Sequence, residues 1–310
     1  MSLTRLAHCL TICSLACVAA WTGTAAASQQ LSGGLFPSPF LVEHVVVTTE
    51  PDGASFASDP VIDHYGGSMI VSVREDGSRL VVDFARRELT EIRPSSGTYT
   101  VITFDRLAQL TRKLRRIEGP PIAEPEPDGA SNEVRLDVRE LETTGATKVA
   151  TAALAAASPL LDRPGLRRFE VTVEIAGEAS SEPAIEAWLN PEHQLVPAAL
   201  DAVEDFELHV LGAATDPDAL IPLKALAATR RHADGAVPIA TARPTRTGDG
   251  RIEDVALRVE ALDAFPVDLV AIPEGLKRTT HPLEIMVAHA EQEAELRRLM
   301  DAPADQGGAP

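Results

Sequence analysis

The feature that most constrains this chain is an apolar alternation of period two that returns along much of its length. Phe169, Val171, Val173 and Ile175 are set between Arg168, Glu170, Thr172 and Glu174. Val134, Leu136 and Val138 alternate with Glu133, Arg135, Asp137 and Arg139, and Val255, Leu257 and Val259 with Asp254, Arg258 and Glu260. Successive side chains of a strand point to opposite faces, so each segment predicts a strand with one dry and one wet face, as in an antiparallel sheet. Apolar runs at Met69–Val73 and Leu80–Phe84 flank Glu75-Asp76-Gly77-Ser78, where Asp-Gly tolerates the positive φ of a tight hairpin. With a second turn at Pro94-Ser95-Ser96-Gly97, these runs predict a meander over 41–50, 62–74, 79–86, 88–93 and 98–104.

The period then changes. Leu107, Leu110, Leu114 and Ile117 are spaced for a helix from Asp105 to about Arg116, with Asp105 placed to accept from free N–H groups of the first turn. Leu195–Leu211 and Asp218–Arg231 read as mainly helical. A last helix runs from His281-Pro282 to about Met300, with Pro favourable in the first turn and Leu283, Val287, Leu296, Leu299 and Met300 as its apolar positions. Four prolines among acids and small residues between Gly119 and Ser131 can neither continue a helix nor join a central strand, so this stretch is a loop or linker. The alanine-rich stretch Ala150–Ala157 reads as a helical insertion or an excursion between strands. Strands followed by helices make an α+β chain.

The N-terminus carries an address. Arg5 and His8 precede an apolar stretch from Cys9 to Trp21, and small residues lead into Ala25-Ala26-Ala27. That is the layout of a secretory signal, which predicts cleavage of residues 1–27 and a mature chain beginning near Ser28. The stretch is shorter than the ~20 consecutive apolar residues of a membrane span, and no later segment reaches that length, so no transmembrane segment is expected after signal removal. Cys9, Cys13 and Cys17 all lie inside the signal, which leaves the mature chain without disulfide, thiolate nucleophile or cysteine-based zinc site. Ser14-Leu15-Ala16-Cys17 has the small residue that lipidation of Cys17 needs and lacks the usual Leu three residues before it. The expected location is the periplasm or the exterior.

Loss of Arg5 with the signal leaves 46 acidic against 27 basic residues, a formal charge of −19. Such a surface repels nucleic-acid phosphate and anionic headgroups, which argues against nucleic-acid partners. Arg106, Arg112, Lys113, Arg115 and Arg116 form the one basic cluster. It reads as cations offsetting a helix C-terminal dipole in preference to an anion site.

Catalytic signatures are missing. Gly66-Gly67-Ser68 is not the Gly-x-Ser-x-Gly elbow, and no nucleotide-binding or His-Glu-x-x-His pattern occurs, so the chain reads as a non-enzyme with no cofactor. Asp205 with His209, and His289 with Glu293, are spaced to share a helix face, but two ligands without a third read as solvated surface, not a metal site. Asp249-Gly250 near Glu253 and Asp254 reads as a hairpin turn, because the alternating oxygens of a calcium loop are lacking. Trp188 is the single candidate ligand-binding residue: it is a wall of an apolar cavity, or a core residue anchoring the sheet to the helices, the latter favoured.

The order of elements carries a resemblance. Arg79-Leu80-Val81-Val82-Asp83-Phe84-Ala85-Arg86-Arg87-Glu88-Leu89-Thr90-Glu91-Ile92, followed by Gly97-Thr98-Tyr99-Thr100-Val101-Ile102-Thr103-Phe104, resembles exported bacterial domains of unknown function. The strand Phe169–Ile175, the segment Glu186-Ala187-Trp188-Leu189 and a strand end at Phe265–Ile272-Pro273-Glu274-Gly275 sit in a similar order, across roughly residues 40–280. Such domains are similar in architecture to periplasmic lipoprotein carriers. The resemblance implies a curved antiparallel sheet, a half-barrel with helices covering its concave face; the mature chain is expected to form a single such domain over 28–300, and residues 301–310, beyond the last helix, to be disordered. The resemblance further implies an apolar or lipid-like ligand, or a lipidated partner. An envelope interaction scaffold and an exported hydrolase without recognisable motif are the alternatives.

Overall fold

A single open sheet organises the computed structural model, which describes residues 36–118, 134–141, 158–161, 164–175, 178–180, 182–211, 217–245 and 250–301. The predicted signal, the proline-rich linker, the alanine-rich stretch and the tail from 302 lie outside the described residues. The first strands are β1 (Phe36–Thr49), β2 (Ser55–Ala57), β3 (Val61–Gly67), β4 (Met69–Arg74), β5 (Arg79–Asp83), β6 (Glu88–Arg93) and β7 (Thr98–Thr103). The later strands are β8 (Val134–Leu141), β9 (Arg167–Ile175), β10 (Glu178–Ala179), β11 (Ile185–Gln194), β12 (Ala236–Pro244), β13 (Arg251–Ala261) and β14 (Lys277–Arg278). They line up as β10-β9-β11-β12-β13-β1-β3-β4-β5-β6-β7-β14, with β2 on β1 and β8 on β9. Every pair is antiparallel except β14 with β7. The two ends of this order do not pair, so the sheet remains an open, curved half-barrel with helices across its inner face.

Local chemistry sets the meander. In the β4–β5 hairpin, Gly77 takes φ +76° while the Ser78 amide and hydroxyl both donate to Asp76 Oδ1, at 2.9 and 2.5 Å. The predicted strand 62–74 is in fact two: Gly67, at φ +55°, opens a tight turn that folds β4 back on β3. After β7 the chain enters α1 (Phe104–Glu118), whose Leu107, Leu110 and Leu114 are buried as the spacing predicted. The cap differs from expectation. Thr103 Oγ1 accepts from the Arg106 amide at 3.2 Å, and Asp105 sits within the first turn, paired to Arg87 at 3.4 Å.

The other helices are α2 (Ser158–Leu161), α3 (Pro197–Glu204), α4 (Pro217–His232) and α5 (Pro282–Asp301). A π-helical segment, Asp205–Leu211, continues α3 directly. Phe40, Val42, Tyr65, Ile70, Val82, Leu89 and Ile102 of the sheet join Leu107, Val203, Phe206 and Leu283 of the helices in one apolar cluster. Phe169, Val171, Ile185 and Ala187 meet Ala225 and Leu226 of α4 in a second. Phe169 and Val171 face inward as their alternation predicted, and each such burial is worth about 1.5–3 kcal/mol.

The outer face is covered differently. Residues 262–276 cross it with Phe265, Leu269, Val270 and Leu276 packed on Val71, Val81 and Ile92. This corrects the expected strand end at Phe265–Gly275, where only the 3-10 turn Val267–Leu269 forms before β14. Packing against the apolar outer face takes the place of further pairing. Gly66 is required beneath this segment, because a Cβ there would collide with the Phe265 ring.

Candidate functional site

Three charged side chains are buried together on the inner face. Alternation along β1 turns Phe40, Val42 and His44 inward, and the register sets Tyr65 opposite Phe40 and Asp63 opposite Val42. The alternation of Val255, Leu257 and Val259 predicts a solvent-facing Asp254. The ladder between β1 and β13 breaks that pattern: Glu43 pairs with Arg258 and His44 with Ala256, leaving Leu257 as the extra residue of a bulge. Beyond it the faces exchange. Leu257 becomes 40% exposed while Asp254 turns inward at 8%. His44 Nδ1 then lies 2.8 Å from Asp254 Oδ1, and Nε2 lies 3.4 Å from Asp63 Oδ2.

Burial pushes the His44 imidazole towards neutrality, but the Asp254 carboxylate, through charge and hydrogen bond, and then Asp63 outweigh it. His44 is held well above its usual range. The charged ring donates Nδ1–H to Asp254 and faces Asp63 at ion-pair distance, while the Tyr65 hydroxyl donates to Asp63 Oδ2 at 3.4 Å. Burial lowers the Arg243 guanidinium of β12 from its usual value, against the opposing charge of Asp254. His44, Asp63, Tyr65 and Asp254 border a cavity of about 20 Å³ with Val42, Ile239, Thr241 and Ala256 among its other walls. That is room for one water-sized guest. His44 Nε2 and Asp63 Oδ1 have no hydrogen-bond partner among the described residues. Among the described residues the hydrogen bond of the His44 ring is to Asp254.

A second buried charge pair lies in the helical layer. Arg230 of α4 donates from Nη1 to Glu207 Oε2 of the π-helical segment at 2.8 Å, and neither side chain has any exposed surface. Burial raises the Glu207 carboxyl to about 7 against the opposing pull of Arg230. Arg230 Nε and Nη2 and Glu207 Oε1 have no partner among the described residues. The sequence hides this site. Arg230-Arg231-His232 reads as a basic helix end, yet Arg231 is half exposed and paired to Asp201 at 2.9 Å while Arg230 is enclosed.

The residues singled out from the sequence fall elsewhere. Trp188 is 3% exposed and pairs with Arg168 and Ala240, which puts it on the face opposite Ala187 and Thr241; the Arg168 guanidinium stacks over it at 5.4 Å. It does not line the cavity. Asp205 pairs with Arg87 at 3.2 Å, and the described residues bring together no group of three potential metal ligands that would include it, His209, His289 or Glu293. In the basic cluster, Arg106 pairs with Glu284 at 3.1 Å and Arg112 donates to the Ala108 carbonyl at 2.9 Å. No described helix is long and apolar enough to cross a membrane.

The sequence matches no protein-family model and no curated protein. Among solved structures, an uncharacterized conserved protein from Thermus thermophilus aligns over 79% of this chain and 91% of its own at 7% identity, with a TM-score of 0.34. A LolA superfamily protein from Nitrosomonas europaea aligns over 80% and 98% at 9% identity and a TM-score of 0.27. A putative outer membrane lipoprotein-sorting protein domain from Vibrio parahaemolyticus aligns over 79% and 94% at 8% identity and a TM-score of 0.29. These likenesses are too distant to carry an argument about function.

Proposed function

We propose that this chain is an exported, non-enzymatic binding protein that takes an apolar or lipid-like ligand between the inner face of its sheet and the helices across it. The supporting observation is the continuous apolar cluster running from Phe40, Val42 and Ile70 of the strands to Leu110, Val203 and Phe206 of the roof. The cavity beside it, at about 20 Å³, falls far below the roughly 300–1,000 Å³ of small-molecule sites, so binding proceeds by displacement of helices and not by entry into a preformed pocket. The π-helical segment is the part of the roof best suited to move, since its hydrogen-bond pattern is already irregular.

Displacement of a fluorescent fatty acid from the leaderless protein tests this reading, together with native mass spectrometry of protein recovered from the periplasm. Saturable binding at micromolar probe and a co-purifying lipid are expected. A folded protein that binds no probe rejects it. The filled inner face itself favours a second reading, in which the helices never leave the sheet and the molecule is an envelope interaction scaffold; that outcome would then stand.

A further inference from the structure

We infer that Arg230 is the recognition site for the anionic headgroup of an amphipathic ligand, a carboxylate or phosphate whose two oxygens take the free edge of its guanidinium. This rests on the binding reading above and narrows it to a ligand class. Nη1 is committed to Glu207 at 2.8 Å, whereas Nε and Nη2, the two donors on one side of the guanidinium plane, have no partner among the described residues. Those two N–H groups form the side-on fork that matches a carboxylate or phosphate with two parallel hydrogen bonds. An enclosed guanidinium with such an edge unfilled is costly, because each buried donor without an acceptor loses its hydration without replacement.

Position supports the same assignment. Glu207 is flanked on its segment by Phe206 and Val210 of the main apolar cluster, while α4 contributes Leu226 of the second. The guanidinium therefore bonds to a segment whose own residues belong to the main apolar cluster. An acyl chain in the main cluster can end at this polar point. Glu207 is suited to give way: with its carboxyl raised to about 7, it is readily protonated near neutrality, which frees the Arg230 charge for an incoming anion. The net negative surface makes a specific cationic site necessary for any anionic ligand, because long-range attraction is lacking.

The test is displacement of a fluorescent fatty acid by oleate, by oleyl alcohol and by hexadecyl phosphate, with inorganic phosphate as a headgroup without a chain. Oleate or hexadecyl phosphate should compete at least ~10-fold more strongly than oleyl alcohol, as a charge-assisted bidentate contact implies. Which of the two anions competes better identifies the headgroup. Arg230→Met should reduce the preference to within ~2-fold and leave oleyl alcohol binding in place, and Glu207→Leu/Arg230→Met serves if the single variant does not fold. Oleyl alcohol binding as well as both anions to the unaltered protein overturns the Arg230 assignment and leaves the binding reading intact. If no chain-bearing competitor displaces the probe, both fall. Inorganic phosphate competing as well as hexadecyl phosphate also overturns the assignment, since the apolar cluster would then contribute nothing.

Discussion

The two buried charge groups are built on opposite mechanical principles. His44, Asp63 and Asp254 belong to β1, β3 and β13, strands held on both sides by ladders. Glu207 and Arg230 join a π-helical segment to α4, with the like charge of Glu204 acting on Glu207. The first group is a clasp across the middle of a sheet. The second is a pair in a roof whose backbone bonding is irregular, where one partner can be exchanged at smaller structural cost. A buried charge therefore does not by itself mark a site of action; what surrounds it decides whether it fixes the fold or waits for a ligand.

Removing one partner from the roof should have the largest effect. Glu207→Leu leaves the Arg230 guanidinium, which cannot shed its proton, buried without its counterion and should cost about 3–5 kcal/mol in urea unfolding at neutral pH. Replacing both, in Glu207→Leu/Arg230→Met, should recover most of that loss, because two desolvated charges give way to apolar packing. A single variant as stable as the unaltered protein would show that the pair is not enclosed in solution.

The same contrast is readable in pH. Glu207 binds its proton more tightly folded than unfolded, with its carboxyl raised from 4.5 to about 7, so the folded state is favoured at acid pH and loses about 3 kcal/mol as pH rises through this window. The His44 contribution is complete below 6.5 and is lost as pH rises through its higher folded value, the same direction in a later window. Glu207→Gln should flatten the first limb of the stability curve and leave the second. Loss of both limbs in that one variant would mean that the two groups are coupled, against the separation drawn above.

The regular parts of the fold were legible in the sequence. Phe169 and Val171 pointed inward as their alternation required, and Leu107, Leu110 and Leu114 gave the period and site of α1. Both buried charge groups were missed, because each depends on a departure from the period being read. The extra residue Leu257 reverses the facing of Asp254 relative to its own alternation, and nothing local in Arg251–Ala261 announces a bulge that is defined by the partner strand. Glu207 lies where α3 passes into π geometry, a change of register that composition does not signal. Trp188, prominent only because tryptophan is scarce in this chain, marked a packed position away from the cavity.

The smallest effects should come from within the clasp, and they rank its two carboxylates. Asp254 makes the 2.8 Å hydrogen bond to His44, whereas Asp63 stands at 3.4 Å from both the ring and the Tyr65 hydroxyl and keeps one oxygen unpartnered. Asp254→Asn removes a charge-assisted bond with good geometry and should cost about 1.5–3 kcal/mol. Asp63→Asn gives up two long contacts, and the neutral amide is cheaper to bury than the carboxylate it replaces, so its cost should stay below about 1 kcal/mol. Burial alone would hold the His44 imidazole down, and Asp254 does most to raise it, so titration of the His44 ring by NMR should show a larger fall in its pKa for Asp254→Asn than for Asp63→Asn. The reverse order in both measurements would place the stronger bond on β3 and remove the part assigned to the bulge.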